Sequence, residues 1–183
     1  MDLRIQKTLR EIRRAFLSLA AEKPLERITV KELCDRALIN KATFYSHYDN
    51  LDSLIEQIED EFVQKLTGNI EYADLFFSNP EQFISTLLHR FWEMSEGVIL
   101  LSSPRYLPLI SMLLEALRRS IYKARPEIKS IPGIDMALTY IVMGFTGVIT
   151  MHNKESIELR AKEAGRATEA VLREVLGEKT YCE

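Results

Sequence analysis

The chain has little of what most enzymes and disulfide-stapled scaffolds are built from. Its 183 residues include two cysteines, Cys34 and Cys182, three histidines, His47, His89 and His152, and one tryptophan. Neither cysteine has metal-ligand spacing, and a thiol one residue from the end is a poor partner for a structural bridge. Reduced thiols and a cytoplasmic location are therefore expected. The histidines are too scattered to hold a metal, and there is no nucleophile elbow, phosphate loop or redox cysteine pair. No metal, no cofactor and no enzymatic activity are expected. Seven Gly and six Pro leave little room for low-complexity or linker-like stretches. Internal repeats are absent, strand signals are nearly so, and Met1 to Thr8 lack the apolar core of a secretory signal.

Net charge is also low, at −3, which at first argues against a nucleic-acid partner. Its distribution argues the other way. Residues 1–50 carry ten Lys/Arg against seven Asp/Glu, a balance of +3, so the remainder carries −6. Phosphate attraction acts locally and is screened within about 10 Å at ordinary salt. A basic head on an acidic body thus stays compatible with binding DNA.

What the sequence does have is helical periodicity, nearly end to end. Ile5, Leu9, Ile12, Phe16 and Leu19 form one stripe of a helix over about 3–22, which Pro24 ends. Thr29 and Glu32 match a capping box, in which each residue's side chain satisfies the other's backbone amide. A second helix follows to about Ala37, burying Leu33, Cys34 and Ala37. Leu38 and Ile39 make the turn. Asn40 is an N-cap for a short third helix ending near Tyr48. Asp49-Asn50 starts a fourth, with Leu51, Leu54, Ile55, Ile58, Phe62 and Leu66. Further helices start at Asn79-Pro80, run to about Ala124 after breaks at Ser102, Ser103, Pro104 and Pro108, and occupy about 134–152 and 156–176. The class is all-α, with about nine helices. Residues 1–50 form a three-helix helix-turn-helix domain, and 51–183 a helical effector-binding and dimerisation domain.

The third helix is polar where a core helix would be apolar. Asn40, Lys41, Thr43, Tyr45, Ser46 and His47 offer hydrogen bonds or charge, while Phe44 and Tyr48 fall on the apolar side. A short polar helix on a compact support suits entry into a DNA groove. Ile28 to Tyr48, I-T-V-K-E-L-C-D-R-A-L-I-N-K-A-T-F-Y-S-H-Y, resembles the helix-turn-helix of the TetR/AcrR family of one-component transcriptional regulators, and the likeness covers residues of about 5–66. The resemblance implies that the third helix lies in the major groove. Lys41, Ala42 and Thr43 would then meet base edges, with Ser46 a weaker candidate. Tyr45, His47 and Thr29 would bind phosphates, Lys31 either target, and Asn40 would complete the DNA-binding set. Leu38 stands where the family usually has Gly, Ala42 where it often has Gly or Pro, and Leu51 where a phosphate-binding Lys is frequent. Beyond about residue 70 the resemblance is architectural.

One such domain contacts few phosphates and binds weakly alone. Two copies in a homodimer would read a palindromic operator in double-stranded DNA, with half-sites about one helical turn apart. Ile134 to Met151 holds eighteen residues with one charge, near the short limit of about 17–25 for a membrane span. Asp135, three Thr and two Gly argue against that, and no membrane is expected. A helix apolar all round also results from packing on its own bundle and on a second subunit. The interface set is Tyr140, Gly144, Gly147, Val148, Ala164, Thr168, Val171 and Val175, and the family dimerises through its last two long helices. Large apolar residues between 70 and 145 suggest a pocket for a small apolar or aromatic effector, with His89, Trp92, Tyr106 and Tyr140 as its polar points. The function expected is a dimeric repressor released from DNA by that effector. The alternative is a ligand-independent regulator, or an activator that works through a protein partner.

Overall fold

A computed structural model of the chain describes residues 3–68, 73–94, 96–101, 103, 104, 106–152 and 154–177. Cys182 and Ser102, singled out in the sequence, lie outside them. Ten α-helices and two short 3-10 turns make up the described residues, with no strand among them. The chain parts into two compact units, Met1–Glu61 and Phe62–Glu183.

Unit 1 begins with α1 (Leu3–Glu22), α2 (Val30–Ala37) and α3 (Lys41–Tyr45). Each start is set by a side chain. The Thr29 hydroxyl accepts from the Glu32 N–H at 3.3 Å, and Glu32 accepts in return from the Thr29 N–H at 3.0 Å. Asn40 Oδ1 accepts from the Thr43 N–H at 2.7 Å. Asn50 Oδ1 accepts from Ser53 N–H at 2.9 Å and starts α4 (Leu51–Thr67). Satisfying these otherwise orphaned amides stabilises each start by about 1 kcal/mol. Helix α3 ends at Tyr45, short of the Tyr48 expected, because the chain tightens there. Ser46 N–H reaches the Ala42 carbonyl and His47 N–H the Phe44 carbonyl, at 3.0 and 2.9 Å.

The core of this unit is Ile12, Phe16, Leu19, Leu33, Cys34, Phe44, Tyr48, Leu54 and Ile58, all buried. Burial pushes the Cys34 thiol and the Tyr48 phenol above their usual pKa values, as it does for any group whose charged form loses water. The division into units falls later than the one expected after residue 50. The first part of α4 buries Leu54, Ile55 and Ile58, and its Glu61 pairs with Arg13 of α1.

Unit 2 contains the end of α4 and α5 (Ala73–Ser78), α6 (Pro80–Glu93), α7 (Glu96–Leu101), α8 (Tyr106–Ala124), α9 (Ile134–Met151) and α10 (Ile157–Leu176). Asn79 and Ser156 cap α6 and α10. Helices α5 and α7 escape a periodicity reading because six residues make too short a window. Edge-to-face contacts link Phe62 to Phe91 and Phe76 to Phe77 and Phe83, at centroid distances from 5.0 to 6.0 Å. Helix α10 lies tightly on α6, since a Cβ at Gly165 would come 2.7 Å from the Glu81 nitrogen. Thr168, expected at an interface between subunits, is 5% exposed on this same packed face. It belongs to the interior of unit 2, because α10 turns it with Ala161, Gly165 and Leu172 toward the inside.

Candidate nucleic-acid interface

Helix α3 divides into two sides. Phe44 is fully buried, and Tyr48 just beyond the helix packs against it at 5.6 Å. Lys41, Ala42, Tyr45 and Ser46 are exposed, while Thr43 and His47 are half-buried. The Tyr45 ring stands edge-on against Phe44 at 5.4 Å, which steadies it while about half of the residue stays in solvent. The apolar residues therefore act as a root and the polar ones as a presented face.

The hydrogen bonds decide what each group on that face has left to offer. The Thr43 hydroxyl donates to Asn40 Oδ1 at 3.0 Å, so its hydrogen is already used. The Ser46 hydroxyl donates to the Thr43 carbonyl at 2.7 Å. Asn40 Oδ1 is committed to the cap, so only its amide N–H groups remain. The Lys41 ammonium, the Tyr45 phenol and the Ala42 methyl are the strongest groups still on offer, and the exposed Lys31 of α2 adds a second cation.

At the start of α2 the Thr29 hydroxyl donates to Glu32 Oε2 at 2.8 Å while accepting from the Glu32 amide. Lys23 donates to the other Glu32 oxygen. The Lys23 ammonium, then the Thr29 hydroxyl and amide, hold the Glu32 carboxyl down to about 2. A carboxylate thus already sits at the positive end of the α2 dipole. What α2 has left for a phosphate is the pair of N–H groups on Val30 and Lys31, which have no acceptor one turn earlier in the helix. At the other end of α2, Arg36 forms a two-pronged pair with Glu22 at 2.7 and 2.9 Å and reaches the Ser18 hydroxyl at 2.6 Å. Together these contacts pin both ends of α2 to α1 or its end.

In unit 2 a narrow cavity of about 30 Å³ is lined by Leu66, Thr67, Phe83, Ile84, Leu87, Leu113, Leu117, Ile141, Val142 and Phe145. The four residues expected as polar pocket points are elsewhere. His89 is exposed, with Nδ1 2.8 Å from the Ser85 carbonyl of its own helix. Trp92 and Tyr106 are about 40% exposed, and the Trp92 ring carries the Arg160 guanidinium 5.4 Å above its centre. Tyr140 is 66% exposed on α9. The lining comes instead from aliphatic and Phe residues four apart, such as Leu113 with Leu117 and Ile141 with Phe145. Aromatic residues with a polar tip favour the surface, where the tip stays wet. Among the described residues no cluster of His, Cys, Asp and Glu could hold a metal.

Helix α9 buries Ile134, Leu138, Ile141, Val142, Phe145 and Ile149 on one side. Its other side exposes Met136, Tyr140, Met143 and Met151. A Cβ on Gly144 or Gly147 would meet nothing within 4 Å. Val148, Ala164, Val171 and Val175 are half-buried.

No family model matches the chain. An uncharacterized HTH-type transcriptional regulator of Bacillus subtilis (strain 168), YxbF, is 29% identical over 84 residues, 45% of this chain. The chain spans about a fifth of the length of that curated relative, 21%. The crystal structure of a TetR transcriptional regulator from Streptococcus agalactiae 2603V matches with a TM-score of 0.67 at 23% identity, covering 91% of this chain and 96% of that one. The likeness expected from Ile28 to Tyr48 is thus matched by the architecture: the chain has the all-α fold of a TetR transcriptional regulator.

Proposed function

We propose that this chain is a homodimeric, cytoplasmic DNA-binding transcriptional regulator of the TetR type. In this reading it is a repressor that a small apolar or aromatic effector releases from a palindromic operator. The observation that carries the DNA-binding reading is α3, rooted by Phe44 and Tyr48 and presenting Lys41, Ala42 and Tyr45 outward. Lys41 donates to guanine O6 or N7, and the Ala42 and Thr43 methyls meet thymine methyls. Tyr45, His47, Lys31 and the first amides of α2 hold phosphates. Thr29 serves this set chiefly as the cap that orients α2. Asn40 and Ser46 shape α3 and contribute second.

Dimerisation is supported by the uncovered side of α9. Met136, Tyr140, Met143 and Met151 form an apolar stripe in water, and among the described residues nothing lies within 4 Å of a Cβ at Gly144 or Gly147. A second copy packing on α9, with Val148, Ala164, Val171 and Val175 at the margin, accounts for both.

The effector reading rests on the apolar lining of the unit 2 cavity. Its volume of about 30 Å³ lies far below the roughly 300–1,000 Å³ of ligand sites, so binding requires the helices to part. That small volume favours a second reading, a regulator that works without an effector. Thermal shift against a library of small apolar compounds separates the two, because a ligand that binds only the folded chain raises its Tm.

The test of DNA binding is selection of duplexes from a random library, followed by competition assays. Lys41→Ala is expected to weaken the selected duplex by about tenfold or more and to change base preference. Tyr45→Phe is expected to weaken selected and random duplexes alike, by up to about tenfold. Equal losses on both duplexes for Lys41→Ala contradict its base-reading role.

A further inference from the structure

Leu38 is the one non-glycine residue with positive φ among the described residues, at φ 56° and ψ 41°. The left-handed turn has a clear use: it lets the Ile39 N–H donate to the Cys34 carbonyl at 3.0 Å and close α2. A Cβ in that conformation crowds the following carbonyl, a clash that glycine avoids. The leucine side chain makes up for none of this inside the chain, because the residue is 92% exposed, more than Leu3 or Met151. Leu38 is therefore unfavourable twice over, in its backbone and in its solvation. Such a residue is accounted for when something outside the chain covers it.

Position identifies the cover. Leu38 lies two residues before Asn40, the cap of α3, and three before Lys41, so it sits within about 11 Å of Lys41 along the chain. Whatever receives the exposed Lys41 and Ala42 comes within reach of Leu38. Exposed Asp35 lies three residues before Leu38 and exposed Lys41 three after it, with Asn40 between, so the cation and the amide on the α3 side are what suit a duplex. A single leucine is too small an apolar patch to dock a protein.

We propose that Leu38 is a DNA-contacting residue: on a duplex that receives α3, its side chain packs on the apolar surface of the groove wall, a thymine methyl or the deoxyribose carbons beside it. This rests on the DNA-binding reading of unit 1. The residue keeps a strained turn because the contact it makes on DNA outweighs the strain.

The experiment uses the full chain and a duplex that the wild type has selected from a random library. Leu38→Gly, Leu38→Asn and Leu38→Met are compared with it by fluorescence anisotropy and by thermal melting. Gly and Asn both accept left-handed backbone, so neither variant has cause to unfold. Leu38→Gly is expected to raise Tm by about 2–4 °C. Affinity for the selected duplex is expected to fall about five- to tenfold in Leu38→Gly and Leu38→Asn and to stay near wild type in Leu38→Met. Each thymine of the duplex is then replaced by uracil, which removes only the methyl. A uracil that weakens the wild type but not Leu38→Gly assigns the contact to that thymine. A wild type indifferent to every uracil, with Leu38→Gly still weaker, assigns it to the sugar. Wild-type affinity in both Leu38→Gly and Leu38→Asn overturns the proposal. A wild type that selects no duplex at low salt overturns instead the DNA-binding reading on which it stands.

Discussion

The two units are built by different means. Unit 1 is specified residue by residue: Thr29, Asn40 and Asn50 each start a helix through a side-chain cap, and Arg36 and Lys23 tie α2 to α1 and its end. Its α2 and α3 are only eight and five residues long, too short to persist without those caps and the core beneath them. Unit 2 has caps too, at Asn79 and Ser156, but its helices are held together by apolar faces and close approach, with Gly165 against Glu81 and α9 apolar on both its sides. The comparison teaches that polar contacts do two jobs here. In unit 1 they hold the scaffold and, by using up hydroxyls and carboxylates, determine which groups remain for a partner. In unit 2 the informative feature is an apolar surface left without a partner.

The largest test breaks unit 1 while leaving unit 2 intact. Phe44→Ala removes a fully buried ring from the root of α3 and is expected to destabilise unit 1 by about 3–5 kcal/mol. Two separate transitions in calorimetry, with the first moved well down, fit the comparison. A single transition that shifts as a whole shows that the units do not melt independently.

A smaller effect is expected on the outer face of α9. A Cβ at Gly147 meets none of the described residues within 4 Å, so in Gly147→Glu the fold is expected to persist while a charge enters the proposed contact between subunits. The dimer dissociation constant is expected to rise at least about a hundredfold, near 3 kcal/mol. Light scattering that finds the dimer intact moves the contact away from α9.

The smallest effect concerns the caps and is read by acid titration. The folded-state carboxyl of Glu32 lies at about 2, below its ordinary value of 4.5, first through Lys23 and then through Thr29. Its contribution is present above pH 4.5 and is lost as pH falls from there toward 2. Glu22, lowered chiefly by Arg36, acts in the same direction. Glu32→Gln keeps the cap but removes the charge, and is expected to flatten the acid dependence of unit 1 in that window; an unchanged acid-melting curve refutes a role for the Glu32 charge in stability. Both carboxylates are solvent-exposed, which keeps the effect small.

The helix starts were legible in the sequence because a cap is made by residues three apart, and Thr29 with Glu32 or Asn40 with Thr43 can be found without any knowledge of the fold. The polar face of α3 was legible for the same reason, since Phe44 and Tyr48 mark its apolar side. The pocket points His89, Trp92, Tyr106 and Tyr140 were not: residue type suggested a site, but the helices turn all four outward. Thr168 shows the converse, a residue expected at a surface that α6 covers.

The sequence by itself determined the all-α class, most helix boundaries and the helix-turn-helix, because caps, prolines and apolar spacing act over a few residues. Only the tertiary structure decided which side of α9 is covered, which residues line the cavity, and that no other part of the described chain covers the Leu38 side chain. Those outcomes depend on neighbours brought together from distant parts of the chain, and short-range spacing carries no record of them.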